Sequence, residues 1–207
     1  MTDATGWNRR DVLGAASLVA LAFGLPLAAV EWSAVPAEDR PGPADRALLR
    51  EVSQLVIPRT ATPGAGDVGA GDFVLLALAH GLDASRRPPG AITPDLLPHL
   101  RPDGSLRHAA WLAAELDRRG GGRFMAAAPP RRAELLAALD AEAFAEGAGD
   151  NPWRTIKGLI LTGYYTTEIG GSRELRYELV PGRYDPDLPA TPQTVAFSSD
   201  WTAVDFG

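Results

Sequence analysis

The stretch NPWRTIKGLILTGYYTTEIGGSRELRYELVPGRYDPD, residues 151–187, decides the fold class. It begins with Asn followed by Pro, which is typical of a helix N-cap and the first helical position. Four large side chains then recur at helical spacing: Trp153, Ile156, Ile160 and Tyr164. After Gly170 and Gly171 this pattern ends, and Pro-containing turns follow. The stretch therefore predicts a helix with one buried face, followed by an irregular tail.

Helical patterns also fill the chain before this stretch. An amphipathic helix over residues 45–57 ends at Pro58, and Asp72 is predicted to cap a short apolar helix that reaches Gly81. A third helix covers residues 106–119, before Gly120–Gly122. Since no segment shows sustained period-two alternation, we predict an all-α fold: a small helical domain with a long irregular C-terminal tail.

The fourth of these helices begins at Pro129 and Pro130 and is predicted to run to Glu146, where Gly147 ends it. Its apolar residues are predicted to point inward: Leu135, Leu136, Leu139, Ala143 and Phe144.

The composition excludes several classes of protein. A hydrophobic share of 45% in 207 residues is enough to bury a core. The formal net charge of -6 argues against nucleic acid as a partner, because its binding needs clustered Lys and Arg. The absence of Cys excludes disulfides, Fe–S clusters and haem c attached through Cys. An electron-transfer role would therefore need a cofactor that another protein holds.

The N-terminus has the layout of a secretory signal. Arg9 and Arg10, followed by Asp11, precede an uncharged, weakly apolar stretch over residues 12–30. Paired arginines with Leu13 resemble a twin-arginine (Tat) signal, which a receptor reads as an address. The Tat route carries folded proteins, often with a cofactor already bound, so a cofactor-loaded passenger would explain its use by a chain without Cys.

Two cleavage positions, after Ala29 or after Ala37, fit this signal, and the sequence does not choose between them. An uncleaved anchor is the alternative, because residues 12–30 come close to the roughly 20 residues that span a bilayer. Pro26 and the many Ala and Gly residues make this stretch a poor anchor.

Residue patterns for catalysis or metal binding are weak. His80, His99 and His108 form no recognised metal-ligand motif, and His80 is predicted to be a capping or surface group. The run GAGDVGAGD, residues 64–72, lacks the spacing of an EF-hand and follows a helix, so we predict a flexible Gly-rich turn. We predict no catalytic, cofactor-binding or metal-binding residues, and whether the chain is an enzyme stays open.

The segment after residue 150 has the composition of an interface. It contains all four tyrosines of the chain: Tyr164, Tyr165, Tyr177 and Tyr184. Tyr and Arg are enriched at the sites that dominate binding energy in protein interfaces. The alternative is a solvated helix end whose charges form weak local ion pairs. A long tail without helices is unusual inside a compact domain, and it is expected where the chain lies along another protein.

Four motifs carry a resemblance to a known family. They are IPRTATPGA at residues 57–65, WRTIK at 153–157, GYYTTEIG at 163–170 and LRYELVPGRYD at 175–185. In order and spacing they are similar to the signature of the gluconate 2-dehydrogenase subunit 3 family. The resemblance covers residues 48–188, and residues 80–150 match only in helical character.

The resemblance implies a non-catalytic small subunit of a periplasmic, FAD-dependent sugar or polyol dehydrogenase. Members of the family pair with a large flavin subunit of the glucose–methanol–choline (GMC) oxidoreductase type, which holds FAD and the catalytic residues. A membrane-bound cytochrome c subunit often completes the complex. The small subunit supplies the signal that the Tat translocase reads and stabilises the flavin subunit. This chain would then hold no cofactor of its own.

These observations combine into one prediction. Residues 1–37 form the signal region, 38–44 a linker, 45–170 the helical domain and 171–207 a tail on the partner. The signal residues are Arg9, Arg10 and Leu13. The predicted partner interface consists of Trp153, Lys157, Tyr164, Tyr165, Glu168, Leu175, Arg176, Tyr177, Glu178, Tyr184 and Asp185. The alternatives are a membrane-anchored structural protein and a stand-alone enzyme that uses a His and a carboxylate.

Overall fold

Five α-helices are the main regular elements of the computed structural model, which describes residues 35–177 and, in the tail, 189, 191, 194 and 196–198. The helices are α1 (Pro43–Val56), α2 (Ala70–His80), α3 (His108–Gly120), α4 (Pro129–Ala143) and α5 (Pro152–Tyr165). Short 3-10 turns lie at Ala37–Asp39, Leu82–Ala84, Leu97–His99 and Phe124–Ala126, and a π-helical turn lies at Gly170–Glu174. The predicted all-α fold is confirmed.

The only regular pairing of strands among the described residues involves two residues on each side. Strand β1 (Arg176–Tyr177) pairs in parallel with β2 (Phe197–Ser198), with Arg176 opposite Phe197. This contact returns part of the tail to the end of the helical domain.

Helix α2 is the centre of the core. Nine of its eleven residues are buried, from Ala70 to Ala79 apart from Asp72. A helix that is apolar on all sides must be surrounded by other elements, and α2 packs mainly between α1 and α5. Helices α3 and α4 contribute a second set of core side chains: Trp111, Leu112, Leu116, Leu135, Leu136 and Leu139.

Helix α5 begins as predicted. The side-chain oxygen of Asn151 accepts a hydrogen bond from the backbone N–H of Trp153 at 3.0 Å, and Pro152 is the first helical residue. The side chains predicted to share one face are all buried: Trp153, Ile156, Ile160 and Tyr164.

Three predictions about helix ends and faces are wrong. Helix α2 begins at Ala70 after Gly69, whose φ is 83°, so Asp72 lies inside the first turn and is not the N-cap. There its carboxylate accepts a hydrogen bond from the Arg46 guanidinium at 3.0 Å.

Helix α4 ends at Ala143, three residues before Glu146. Phe144 was predicted to point inward, but 53% of it is exposed. Its ring instead lies beneath two cations of α5, with the Arg154 guanidinium carbon 5.3 Å and the Lys157 ammonium 4.7 Å from the ring centroid.

The segment before α1 is not a free linker. Ala37–Asp39 forms a 3-10 turn, and the Asp39 carboxylate is bound by arginines of the domain. The Asp45 carboxylate accepts the Gly42 N–H at 2.8 Å, and helix α1 already begins at Pro43. Among the described residues, no helix is long and apolar enough to cross a bilayer; residues 12–30 lie outside them.

Candidate partner interface

Two motifs that are far apart in the sequence meet at one end of the domain. The Tyr164 hydroxyl, in α5, donates a hydrogen bond to the Pro63 carbonyl at 3.0 Å. The Thr62 hydroxyl donates to the Glu174 carboxylate in the π-helical turn. We call the surface formed by residues 57–69 and 161–176 the motif face. It joins the IPRTATPGA motif to the GYYTTEIG motif and to the turn that follows.

Hydrogen bonds and an ion pair within the loop stabilise residues 57–69. The Ala65 N–H donates to the Ile57 carbonyl at 2.9 Å, and the Asp67 carboxylate accepts the Gly64 N–H at 2.9 Å. The Arg59 guanidinium lies 2.7 Å from the same carboxylate and, together with the Gly64 N–H, lowers the pKa of Asp67. The Gly-rich run before α2 therefore forms a hydrogen-bonded turn, and its flexibility stays a prediction.

Glycine is required in this loop by close contacts. A Cβ on Gly64 would lie 2.6 Å from the Gln54 amide nitrogen and 2.7 Å from the Ile57 carbonyl oxygen. A Cβ on Gly66 would lie 2.6 Å from the Arg50 carbonyl oxygen. All three distances are too short for a side chain, so the loop lies directly against α1.

The turn after α5 is just as tightly connected. The Thr167 hydroxyl donates to the Tyr164 carbonyl at 2.7 Å and accepts the Gly170 N–H at 3.1 Å. A Cβ on Gly170 would lie 2.2 Å from the Tyr164 carbonyl oxygen. Only glycine permits the chain to fold back at this position, which leads it into β1.

Apolar side chains remain exposed where these segments meet. Leu161 is 37% and Tyr165 39% exposed, and they lie four residues apart on the outer side of α5. The edge of one ring meets the face of the other between Tyr164 and Tyr165, with centroids 5.1 Å apart and an interplanar angle of 80°. Tyr165 is therefore held by a buried neighbour while its other surface faces outward.

The predicted interface residues have different outcomes in the structure. Tyr165, Glu168 and Arg176 are exposed and Leu175 is half-buried; Glu168 lies 3.3 Å from Arg173 in an exposed ion pair. Tyr177 is placed by its backbone in β1. Glu178, Tyr184 and Asp185 lie outside the described residues, as do the signal residues Arg9, Arg10 and Leu13.

Trp153 and Tyr164 are corrected from interface to core. Their side chains are buried, with 0% and 1% exposed, so they present no area to a partner. The Trp153 indole N–H donates to the Asp140 carboxylate at 2.7 Å, which connects α5 to α4. Helical spacing had already placed both residues on the buried face of α5, and this signal conflicted with the interface prediction, which rested on composition and on the motifs.

Lys157 is half-buried and also connects α5 to α4. Its ammonium lies 2.7 Å and 2.9 Å from the two Asp140 carboxylate oxygens. Burial by itself would raise the pKa of Asp140, but Lys157 and the Trp153 indole outweigh it and lower that pKa. The contacts of Lys157 are therefore structural contacts between α4 and α5.

The contacts that hold the motif face together were not predictable from the sequence. Thr62, Pro63 and Glu174 all lie in or beside the quoted motifs, yet a hydroxyl paired with a distant carboxylate leaves no periodic signal. Co-occurrence of the motifs was the one available indication that the segments meet.

Other chemistry has little support in the described part of the chain. There, no group of three or more His, Asp or Glu residues could hold a metal ion. Two cavities of about 220 Å³ lie beside Ser85 and beside Trp153, below the range of about 300–1,000 Å³ that is typical for drug-sized ligands. Neither would enclose a molecule the size of FAD.

The family comparison agrees with the motifs. A family model described as gluconate 2-dehydrogenase subunit 3 matches residues 43–182. The chain belongs to the gluconate 2-dehydrogenase subunit 3 family. Membership makes it an accessory subunit of a dehydrogenase complex and implies partner subunits. No curated protein and no solved structure matches the chain. The match in the gluconate 2-dehydrogenase subunit 3 family spans all five helices and both segments of the motif face.

Proposed function

We propose that this chain is the non-catalytic small subunit of a periplasmic, FAD-dependent dehydrogenase of sugars or polyols. Its partner is a large flavin subunit of the GMC type, which holds FAD and the catalytic residues, and a membrane-bound cytochrome c subunit accepts the electrons. The small subunit carries the Tat signal for both proteins and stabilises the flavin subunit. Arg9, Arg10 and Leu13 are the signal residues of this proposal.

The motif face is the observation that supports a partner surface. Its two segments are joined by the Tyr164–Pro63 and Thr62–Glu174 hydrogen bonds, so the surface is formed before a partner arrives. A preformed surface loses less conformational entropy on binding than a flexible one. The exposed side chains that this surface presents include Leu161 and Tyr165.

Tyr165 has the properties of an anchor residue in an interface. Aromatic side chains contribute large buried areas at a low entropic cost, and the contact with Tyr164 already restricts this ring. Leu161 extends the apolar area by one turn of α5. Polar residues follow along the chain: Glu168, three residues after Tyr165, forms an exposed ion pair with Arg173. An apolar centre with a polar rim is the usual organisation of a protein interface.

The first experiment is co-purification with the flavin subunit. The tagged full-length chain is co-expressed with its native partner, isolated from the periplasm and examined for flavin absorbance. We expect a co-purifying flavoprotein in stoichiometric amount. A colourless chain without a partner would contradict the proposal.

Variants then locate the surface. Tyr165→Asp should lower the amount of co-purified flavin by at least about tenfold, because a charge placed in an apolar interface centre costs on the order of 2 kcal/mol or more. Leu97→Asp is the matched control, since Leu97 is a 58% exposed apolar residue outside both segments of the motif face. Equal losses in both variants would refute the assignment of the motif face.

Export is tested separately. Replacing Arg9 and Arg10 with Lys should leave both subunits in the cytoplasm if the flavin subunit depends on this signal. Normal periplasmic flavin activity in that strain would refute the escort role, while leaving the interface experiments valid.

A further inference from the structure

Residues 35–40, which we call the N-terminal strap, belong to the folded domain. Val35 is 1% exposed. The Arg40 Nε donates to the Val35 carbonyl at 3.0 Å, and the Asp39 N–H donates to the Pro36 carbonyl at 2.9 Å. The strap, which begins at the C-terminal end of the predicted signal region, therefore has a defined conformation.

Asp39 holds the strap in place through charge. Its carboxylate is 5% exposed and accepts hydrogen bonds from Arg101 at 2.7 Å and from Arg86 at 2.9 Å. The Arg107 guanidinium lies 3.5 Å away. Burial alone would raise the pKa of Asp39, but Arg101 and Arg86 outweigh it and lower that pKa. The carboxylate is therefore ionised and bound at neutral pH.

The arginines also depend on the strap. Arg101 is only 10% exposed, and beyond Asp39 it donates to the Leu106 carbonyl at 2.6 Å. Its burial by itself lowers the pKa of the guanidinium, and Asp39 opposes this effect. Removing one partner from a buried ion pair leaves an uncompensated charge, which strongly destabilises the fold. Removal of Asp39 would therefore affect residues 62 positions away in the sequence.

We propose that the mature protein keeps the N-terminal strap, because proteolytic processing after Ala37 is blocked in the folded chain. This inference rests on the proposed export of a folded protein with a cleavable signal. The bond after Ala37 lies within the 3-10 turn Ala37–Asp39, and a protease reaches such a bond only after local unfolding. Cleavage there would also separate Val35 from the domain. Cleavage after Ala29 leaves the whole strap intact.

The direct experiment is the N-terminal sequence and intact mass of the chain recovered from the periplasm. An N-terminus at or before Val35 is expected. An N-terminus at Pro36, Ala37 or Glu38 would overturn the inference. If the chain is absent from the periplasm, the proposed export has failed. A second experiment, which does not depend on export, then tests whether the folded strap resists proteolysis.

The second experiment uses a protease that cuts after Glu on the purified full-length chain. Cleavage of the Glu38–Asp39 bond is followed by mass spectrometry and divided by the rate for the same chain unfolded in urea. We expect strong protection in the wild type. Asp39→Asn should raise the normalised rate by at least about tenfold, because the strap then opens more often.

Two further variants keep this result interpretable. Asp103→Asn is the matched control: Asp103 also binds Arg86, at 3.2 Å, but its side chain is 52% exposed, so protection should be unchanged. Val35→Ala loosens the strap without altering the bond that is cut. This variant replaces Asp39→Asn in the experiment if Asp39→Asn does not fold. Rapid cleavage of the wild type, or no acceleration in either strap variant, would overturn the inference.

Discussion

Replacing Gly163 by Ala tests the packing that brings α5 onto α2. Gly163 is buried, and a Cβ at this position would lie 2.6 Å from the Phe73 Cδ1 and 3.1 Å from its Cγ. Phe73 is 7% exposed and belongs to the core, so its ring has little room to move. The helix axes must therefore separate, or the ring must leave its position.

The magnitude follows from two opposing effects. Ala is favoured over Gly in a helix by about 1 kcal/mol. Overpacking of a core costs about 1–3 kcal/mol. Gly158 lies in the same helix, and a Cβ at this position would have no atom within 4 Å. Gly158→Ala therefore gains the helix-forming advantage of Ala without overpacking the core. The two variants should differ in unfolding free energy by about 1–3 kcal/mol, with Gly163→Ala the less stable.

Urea unfolding followed by Trp fluorescence and far-UV circular dichroism measures this difference. We expect Gly158→Ala to unfold at higher urea than the wild type, and Gly163→Ala at the same or lower urea. Thermal midpoints should separate by about 2–4 °C per kcal/mol. If Gly163→Ala stabilises the protein as much as Gly158→Ala does, the close approach of α5 to Phe73 is refuted.

Three more predictions concern single side chains. Tyr164→Phe should lower the unfolding free energy by about 1 kcal/mol through the lost bond to Pro63, and should speed amide exchange in residues 57–69; unchanged exchange would contradict that link. Trp153→Ala should cost about 3–5 kcal/mol in urea unfolding, as expected for a core residue; weaker partner binding at unchanged stability would restore its interface role. Burial holds the pKa of His108 at about 4, below its ordinary value of 6.5. Neutral His108 therefore contributes about 3 kcal/mol to the unfolding free energy above pH 6.5, and this contribution is lost as the pH falls towards 4. His108→Gln should flatten that part of the pH profile of unfolding, and an NMR titration of His108 near 6.5 would refute the assigned burial.

Local sequence signals predicted the helices well where capping chemistry defined them. Asn151 and Pro152 fixed the start of α5, and Gly121, with a φ of 65°, ends α3. The prediction failed at Phe144, because no local signal shows that α4 ends one residue earlier. The ring leaves the core since two cations of α5 cover it, and this contact crosses between helices.

Sequence by itself determined the all-α class, the helical spacing of the core and the motifs of the gluconate 2-dehydrogenase subunit 3 family. These properties depend on residues a few positions apart, where periodicity and capping act. Tertiary structure decided between the two predictions for Trp153, a buried helix face and an interface residue, in favour of burial, and it placed Tyr165 on the surface. It also decided that Asp39 belongs to the folded domain and that Thr62 meets Glu174. Each of these outcomes depends on contacts between distant segments, since burial and ion pairing are set by the neighbours that folding brings together.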